Sequence, residues 1–109
     1  MIRSIIASTL ILLASFSITS AQVNIQDSLA LVALYDATNG DQWKNNSNWL
    51  FDPVSTWYGI TLQGDRVYVI SLYDNGLEGY IPDEIGQLTG LVELDLSLGN
   101  FTGGIPNVF

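Results

Sequence analysis

The pattern that most constrains this chain occurs twice between Val67 and Phe109. The first copy reads VYVISLYDNGLEGYIPDEIGQLTG, from Val67 to Gly90, and the second reads LVELDLSLGNFTGGIPNVF, from Leu91 to Phe109. Val67 falls on Leu91, Ile70 on Leu94, Leu72 on Leu96, Leu77 on Phe101, Gly79 on Gly103 and Ile81-Pro82 on Ile105-Pro106, always 24 residues apart. One spacing shared by so many positions marks a repeat whose turns bury their apolar residues only by stacking on one another.

Ile70-Ser71-Leu72 and Leu94-Asp95-Leu96 alternate apolar and polar, the two-residue period of a short strand with one buried face. Asn75 follows that strand, where a buried amide can satisfy backbone groups as the chain leaves the sheet. Leu77 and Ile81 return to the core, Gly79 permits a bend and Pro82 fixes φ. Ile85 and Leu88 fit one helical turn on the outer side. In the second copy Gly99 stands in place of that Asn, so either Asn100 takes over after a backbone shift or the asparagine ladder stops.

Ahead of the repeats, Arg3, an apolar run from Ile5 to Ile18 and the small residues Thr19-Ser20-Ala21 read as a secretory signal, residues 1–21, cleaved before Gln22. The competing reading, a membrane anchor, needs a run of about 20 apolar residues, and this one is shorter. The mature chain is then not membrane-spanning within this sequence, and its localisation is secreted or at the cell surface. The formal net charge of −8 becomes one unit more negative once Arg3 is removed. Such an acidic chain excludes nucleic acid as a partner, because phosphate binding rests on Lys and Arg. There is no Cys, so stability comes from packing and not from disulfides.

Asp27–Thr38 reads as a short amphipathic helix, with Asp27 as N-cap, Leu31, Leu34 and Tyr35 on one face, and Asn39-Gly40 as the stop. Trp43, Trp49, Phe51 and Trp57 then crowd an irregular stretch. They form either a small satellite core or, if exposed, a platform on which sugars stack. Trp57–Leu62 and Arg66–Leu72 read as a hairpin whose second strand opens the first repeat.

These copies resemble the 24-residue, plant-type leucine-rich repeat, LxxLxLxxNxLxGxIPxxIGxLxx. Leu31-Val32-Ala33-Leu34-Tyr35, Asn39-Gly40, Trp43, Asn48-Trp49 and Ser55–Thr61 resemble the N-terminal cap of such proteins. Ser55 and Leu62 occupy the places where the plant cap carries disulfide cysteines, so the cap looks more like the cysteine-free bacterial version. The resemblance implies an α/β fold: the start of a solenoid, with a helix-and-hairpin cap over residues 22–66. About two repeat coils with a short parallel sheet follow over 67–109, one full and one incomplete, as a fragment of a longer repeat protein.

The chemistry available is narrow. With no His and no Cys, the commonest general base, the thiol nucleophile and the usual zinc sites are missing, and neither cofactor nor metal is implied. The expected role is a non-enzymatic module that recognises a protein or glycan. Its ligand face is the set of non-Leu strand positions: Val69, Ser71, Tyr73 and Asp74 in the first copy, and Glu93, Asp95, Ser97 and Leu98 in the second. Tyr73 is the expected anchor. A carbohydrate-active enzyme using Glu93 and Asp95, or a purely structural adhesin segment, are the alternatives. Asn45 and Asn100 head N-glycosylation sequons. Ile105, Val108 and Phe109 at the open end offer a surface for self-association.

Overall fold

The computed structural model describes residues 23–106. The expected signal at 1–21, with its cleavage site, and Val108 and Phe109 lie outside the described residues.

Asn24 opens helix α1 (Ile25–Ala37), its Oδ1 accepting from the amides of Gln26 and Asp27 at 2.9 and 3.3 Å. Asp27 is therefore not the N-cap that the sequence pointed to. It lies one turn further in, fully buried, and its carboxylate is engaged with the hairpin. Oδ1 accepts from Arg66 Nη2, and Oδ2 from Arg66 Nε, both at 2.9 Å. Oδ2 also accepts from the Val67 amide at 2.8 Å. These bonds to Asp27 hold the Arg66 guanidinium above its ordinary pKa. Arg66 Nη2 continues to Thr89 Oγ1, 2.9 Å away, so one buried acid ties the helix, the first repeat strand and the outer turn together. At its other end α1 stops as expected: the Thr38 amide and hydroxyl both donate to the Leu34 carbonyl, and Asn39 takes a left-handed φ of 61°.

Leu31 and Leu34 meet the side chains that the first repeat turns inward, Val67, Ile70, Leu72, Leu77, Ile85 and Leu88, all buried in one core. Beside them Tyr35, Trp43, Trp49 and Trp57 form a cluster with ring centroids 4.7 to 5.7 Å apart. Each indole N–H donates to a carbonyl: Trp43 to Thr38 at 3.0 Å, Trp49 to Tyr58 at 3.0 Å, Trp57 to Asp52 at 2.6 Å. The tryptophans are core, and a Trp sugar platform is ruled out because all three rings are buried. Phe51 does not join them and is 91% exposed. Burial, and then the hydrogen bond that Tyr35 donates to Asp41 at 2.7 Å, raise the Tyr35 phenol above its ordinary pKa.

The hairpin comprises β1 (Ile60–Gln63) and β2 (Arg66–Ser71), antiparallel, with a bulge between Thr61 and Leu62. β1 starts three residues later than Trp57, where the sequence placed it. A 3-10 turn at Val54–Thr56 and Gly59, at φ 84°, bend the chain first, and the Ile60 amide closes back on the Trp57 carbonyl. β2 then pairs in parallel with β4 (Glu93–Asp95), Ile70 against Leu94, the 24-residue offset read from the sequence. A second, two-stranded parallel sheet joins β3 (Glu78–Gly79) to β5 (Asn100–Phe101). Gly79, at φ 129°, lies so close to α1 that a Cβ there would collide with the Ala37 carbonyl oxygen. The outer turn is a 3-10 helix at Asp83–Gln87.

That second sheet departs from the sequence alignment. Gly79 pairs with Phe101, an offset of 22 residues, where the repeat aligns Leu77 with Phe101. A slip of two residues keeps every side chain on its face, whereas a slip of one would invert them. Gly99 precedes the slipped pair, and a Cβ there would fall on the Phe101 ring. The ring fills the space that an asparagine would need, and Asn100 is exposed in β5. The ladder therefore stops in the second copy. Asn75 itself is buried and pairs backwards with the cap, accepting from the Asn45 amide and donating to the Asn45 carbonyl, both at 2.9 Å.

Two outcomes follow. Asp27→Asn leaves the guanidinium without its counter-charge and should cost about 3 kcal/mol in urea unfolding. Gly99→Asn, although it restores the repeat pattern, should destabilise by about 1–3 kcal/mol, and Phe101→Leu in the same chain should recover most of that loss.

Candidate functional site

Parallel pairing at a 24-residue offset places equivalent positions of the two copies side by side. Val69 pairs with Glu93 and Ser71 with Asp95. The Leu72 amide bonds the Asp95 carbonyl at 2.8 Å and the Asp74 amide bonds the Ser97 carbonyl at 2.9 Å. The same register therefore carries on past the strands, bringing Tyr73 level with Ser97 and Asp74 level with Leu98. All eight positions expected from the sequence thus lie in one strip. Tyr73 is 58% and Leu98 73% exposed, Asp74, Glu93 and Ser97 are exposed, and Val69, Ser71 and Asp95 are half-buried.

Asp74 and Leu98 share a left-handed backbone, φ 50° and 63°. Asp tolerates that region, but for a bulky residue such as Leu it is an outlier. Its apolar side chain is therefore held at the rim by the repeat geometry and not by its own preference.

Two residues extend the strip beyond the repeats. Thr61 on β1 pairs with Val69 and is exposed on the cap side of it. The alternation in Ile60-Thr61-Leu62 carries this signal, but only once the hairpin is counted as part of the same sheet. Lys44, from the cap loop, reaches Asp74 with Nζ 2.9 Å from Oδ1. Nothing in the local sequence joins residues 30 apart. Both partners are more than half exposed, and such surface pairs contribute between zero and about 1 kcal/mol.

The carboxylate of Asp95 is engaged locally. Asp95 Oδ1 accepts from the Ser97 hydroxyl at 2.6 Å and the Ser97 amide at 3.1 Å. The hydroxyl first, then the amide, hold its carboxyl below the usual carboxylate range. Glycoside hydrolysis needs a carboxylic acid with a raised pKa to protonate the leaving oxygen. Held low, Asp95 is unsuited to that acid role. Among the described residues no group of three or more His, Cys, Asp or Glu could hold a metal ion.

Of the sequon residues, Asn45 is half-buried, its Oδ1 accepting from the Ser47 amide and hydroxyl at 3.0 and 2.6 Å. Asn100 is exposed. Beyond β4 lies an apolar hollow of about 420 Å³, bordered by Ile81, Leu91, Leu94, Leu96 and Ile105. Among the described residues no helix is long and apolar enough to cross a membrane.

A helix-capped α/β chain in which strands of successive copies pair in parallel, β2 with β4 and β3 with β5, defines a repeat protein. No family model matches the chain, but individual proteins do. It is 31% identical over 83 residues to Protein MALE DISCOVERER 2 of Arabidopsis thaliana, covering 73% of this chain and 12% of that protein. It is 32% identical over 94 residues to the receptor-like kinase TMK2 of the same plant, covering 81% and 10%. The crystal structure of PEPR1-AtPEP1 superposes with a TM-score of 0.65 at 30% identity, over 75% of this chain and 12% of that one. A leucine-rich repeat protein from Bacteroides eggerthii superposes at 0.58 with 37% identity, over 69% and 14%. The chain is a leucine-rich-repeat protein. It spans about an eighth or less of the length of the curated relatives it matches.

Because the folded pKa of Asp95 is depressed, its stabilising contribution is present above about pH 4. It fades as the pH falls through the lowered value. Ser97→Ala should raise the Asp95 pKa toward the ordinary value, read by carboxyl ¹³C NMR titration, and Glu93→Gln should leave it in place.

Proposed function

We propose that this chain is a non-enzymatic recognition module, the start of a leucine-rich-repeat solenoid, that takes a protein or peptide segment on the strip from Thr61 to Leu98. In this reading residues 1–21 direct secretion, 22–66 cap the leading end, and 67–109 supply two coils. The module works outside the cell or at its surface. The hollow beside β4 is the face on which a further repeat or a second copy packs.

One observation carries the reading. Tyr73 and Leu98 stand exposed near the same rim of one strip, on the neighbouring turns that follow β2 and β4, held in register by the bond from the Asp74 amide to the Ser97 carbonyl. Aromatic side chains lead among binding hot spots, and an apolar neighbour in a fixed backbone adds contact at little entropic cost. Receptor-like proteins among the relatives support a recognition role. Glycan binding is the weaker variant, since the tryptophans that would stack on sugars are buried.

Panning a random peptide library against the protein, with Tyr73→Ala as the counter-screen, tests this. Selected peptides should bind the variant at least tenfold more weakly, and Leu98→Ser should weaken them as well. Peptides that bind both variants as tightly as the unaltered chain would remove the strip as the ligand face.

A further inference from the structure

A second surface lies on the outer flank and shares no residue with the strip. Ala33, Asp36 and Ala37 of α1, with Tyr80, Pro82 and Glu84, enclose an open groove of about 340 Å³. Its floor is made of small or ring-closed side chains, so it has room. Two of its walls are carboxylates. A third is the phenol ring of Tyr80, which is 56% exposed. Tyr80 is set in place by its own backbone: its amide bonds the Ala37 carbonyl at 3.2 Å, and the Glu78 amide bonds the Thr38 carbonyl at 3.2 Å.

The charge of the groove is uncompensated within the described residues. The two cations there are committed elsewhere, Arg66 to Asp27 and Lys44 to Asp74. Asp36 stands at the negative end of the α1 dipole, and the last turn of α1 carries no basic residue. Following α1 back from Asp36 and Ala33, the same face reaches Leu29, one turn earlier and 57% exposed, and then Ile25, 72% exposed. Acid, aromatic ring and apolar stripe thus form one continuous surface.

The geometry points to an arginine side chain of a basic protein segment as the occupant. Its guanidinium lies flat on Tyr80 between Asp36 and Glu84, and its apolar neighbours run along Leu29 and Ile25. A guanidinium is planar, stacks on aromatic rings and can offer hydrogen bonds to two carboxylates at once, whereas a lysine ammonium is a compact, strongly hydrated charge. The apolar continuation selects a peptide segment over a free cation.

Titrating the peptides Ac-Leu-Gly-Arg-Gly-NH2 and Ac-Leu-Gly-Lys-Gly-NH2 into the ¹⁵N-labelled protein tests the assignment. The arginine peptide should shift the amides of Ala33, Asp36, Ala37, Tyr80 and Glu84, and bind at least threefold more tightly than the lysine peptide. Asp36→Asn, Glu84→Gln and Tyr80→Leu should each weaken it at least threefold. Asp52→Asn and Asp65→Asn, which remove the same charge from exposed loops, should not. Shifts spread over all the exposed acids, equal weakening by the loop variants, or equal binding of the lysine peptide would each overturn the proposal.

Discussion

The carboxylate of Asp27 is the constraint on which the rest of the molecule depends. It is fully buried, yet every approach to it is a donor: two guanidinium nitrogens and the Val67 amide. A buried charge persists only when it is paired and its lone pairs are filled. Arg66 must therefore enter the sheet beside α1, which fixes where β2 begins and which way Val67 and Ile70 face. Because Arg66 also reaches Thr89, the same contact sets the return of the outer turn. Cap and first repeat thus share one electrostatic origin as well as one apolar core. The chain achieves this without a disulfide, since it has no cysteine.

The aromatic cluster does the complementary work. Beside the edge of an open sheet, where stacked leucines are lacking, Trp43, Trp49 and Trp57 supply volume. The N–H groups of Trp49 and Trp57 close backbone carbonyls of the irregular loop, and that of Trp43 joins the Glu78 amide on the Thr38 carbonyl. Large rings with one polar handle suit this task because they fill space and satisfy a loop together. The outer flank and the inner strip then remain free to differ in chemistry. The strip sets the exposed Tyr73 among acids of which Asp95 is already turned to Ser97 and Asp74 to Lys44. The groove beside α1 keeps its acids unpaired among the described residues.

Much of this was legible in the sequence because it follows from periodicity. The strand register, the inward Leu and Ile positions, the outer turn and the eight strip residues all rest on a spacing that the backbone must honour. The misses have a different origin. Asp27 looked like a cap because Asp at a helix start usually is one, and only a partner 39 residues away revealed its other use. Lys44 joined the strip for the same reason, through a contact across 30 residues. The two-residue slip at β5 is a third kind: Gly99 signalled the missing ladder, but only the folded chain shows Asn100 exposed and the Phe101 ring lying over Gly99.

The way Asn75 is bonded has a mechanical consequence. Both ends of its amide are fastened toward Asn45 in the cap, and the equivalent place in the next turn holds a glycine under a phenyl ring. Directional fastening therefore runs from the leading end to the first turn and is absent from that rung of the next. Under tension applied from the trailing end, the second turn would peel away first, while the helix, hairpin and first turn let go together as a single block.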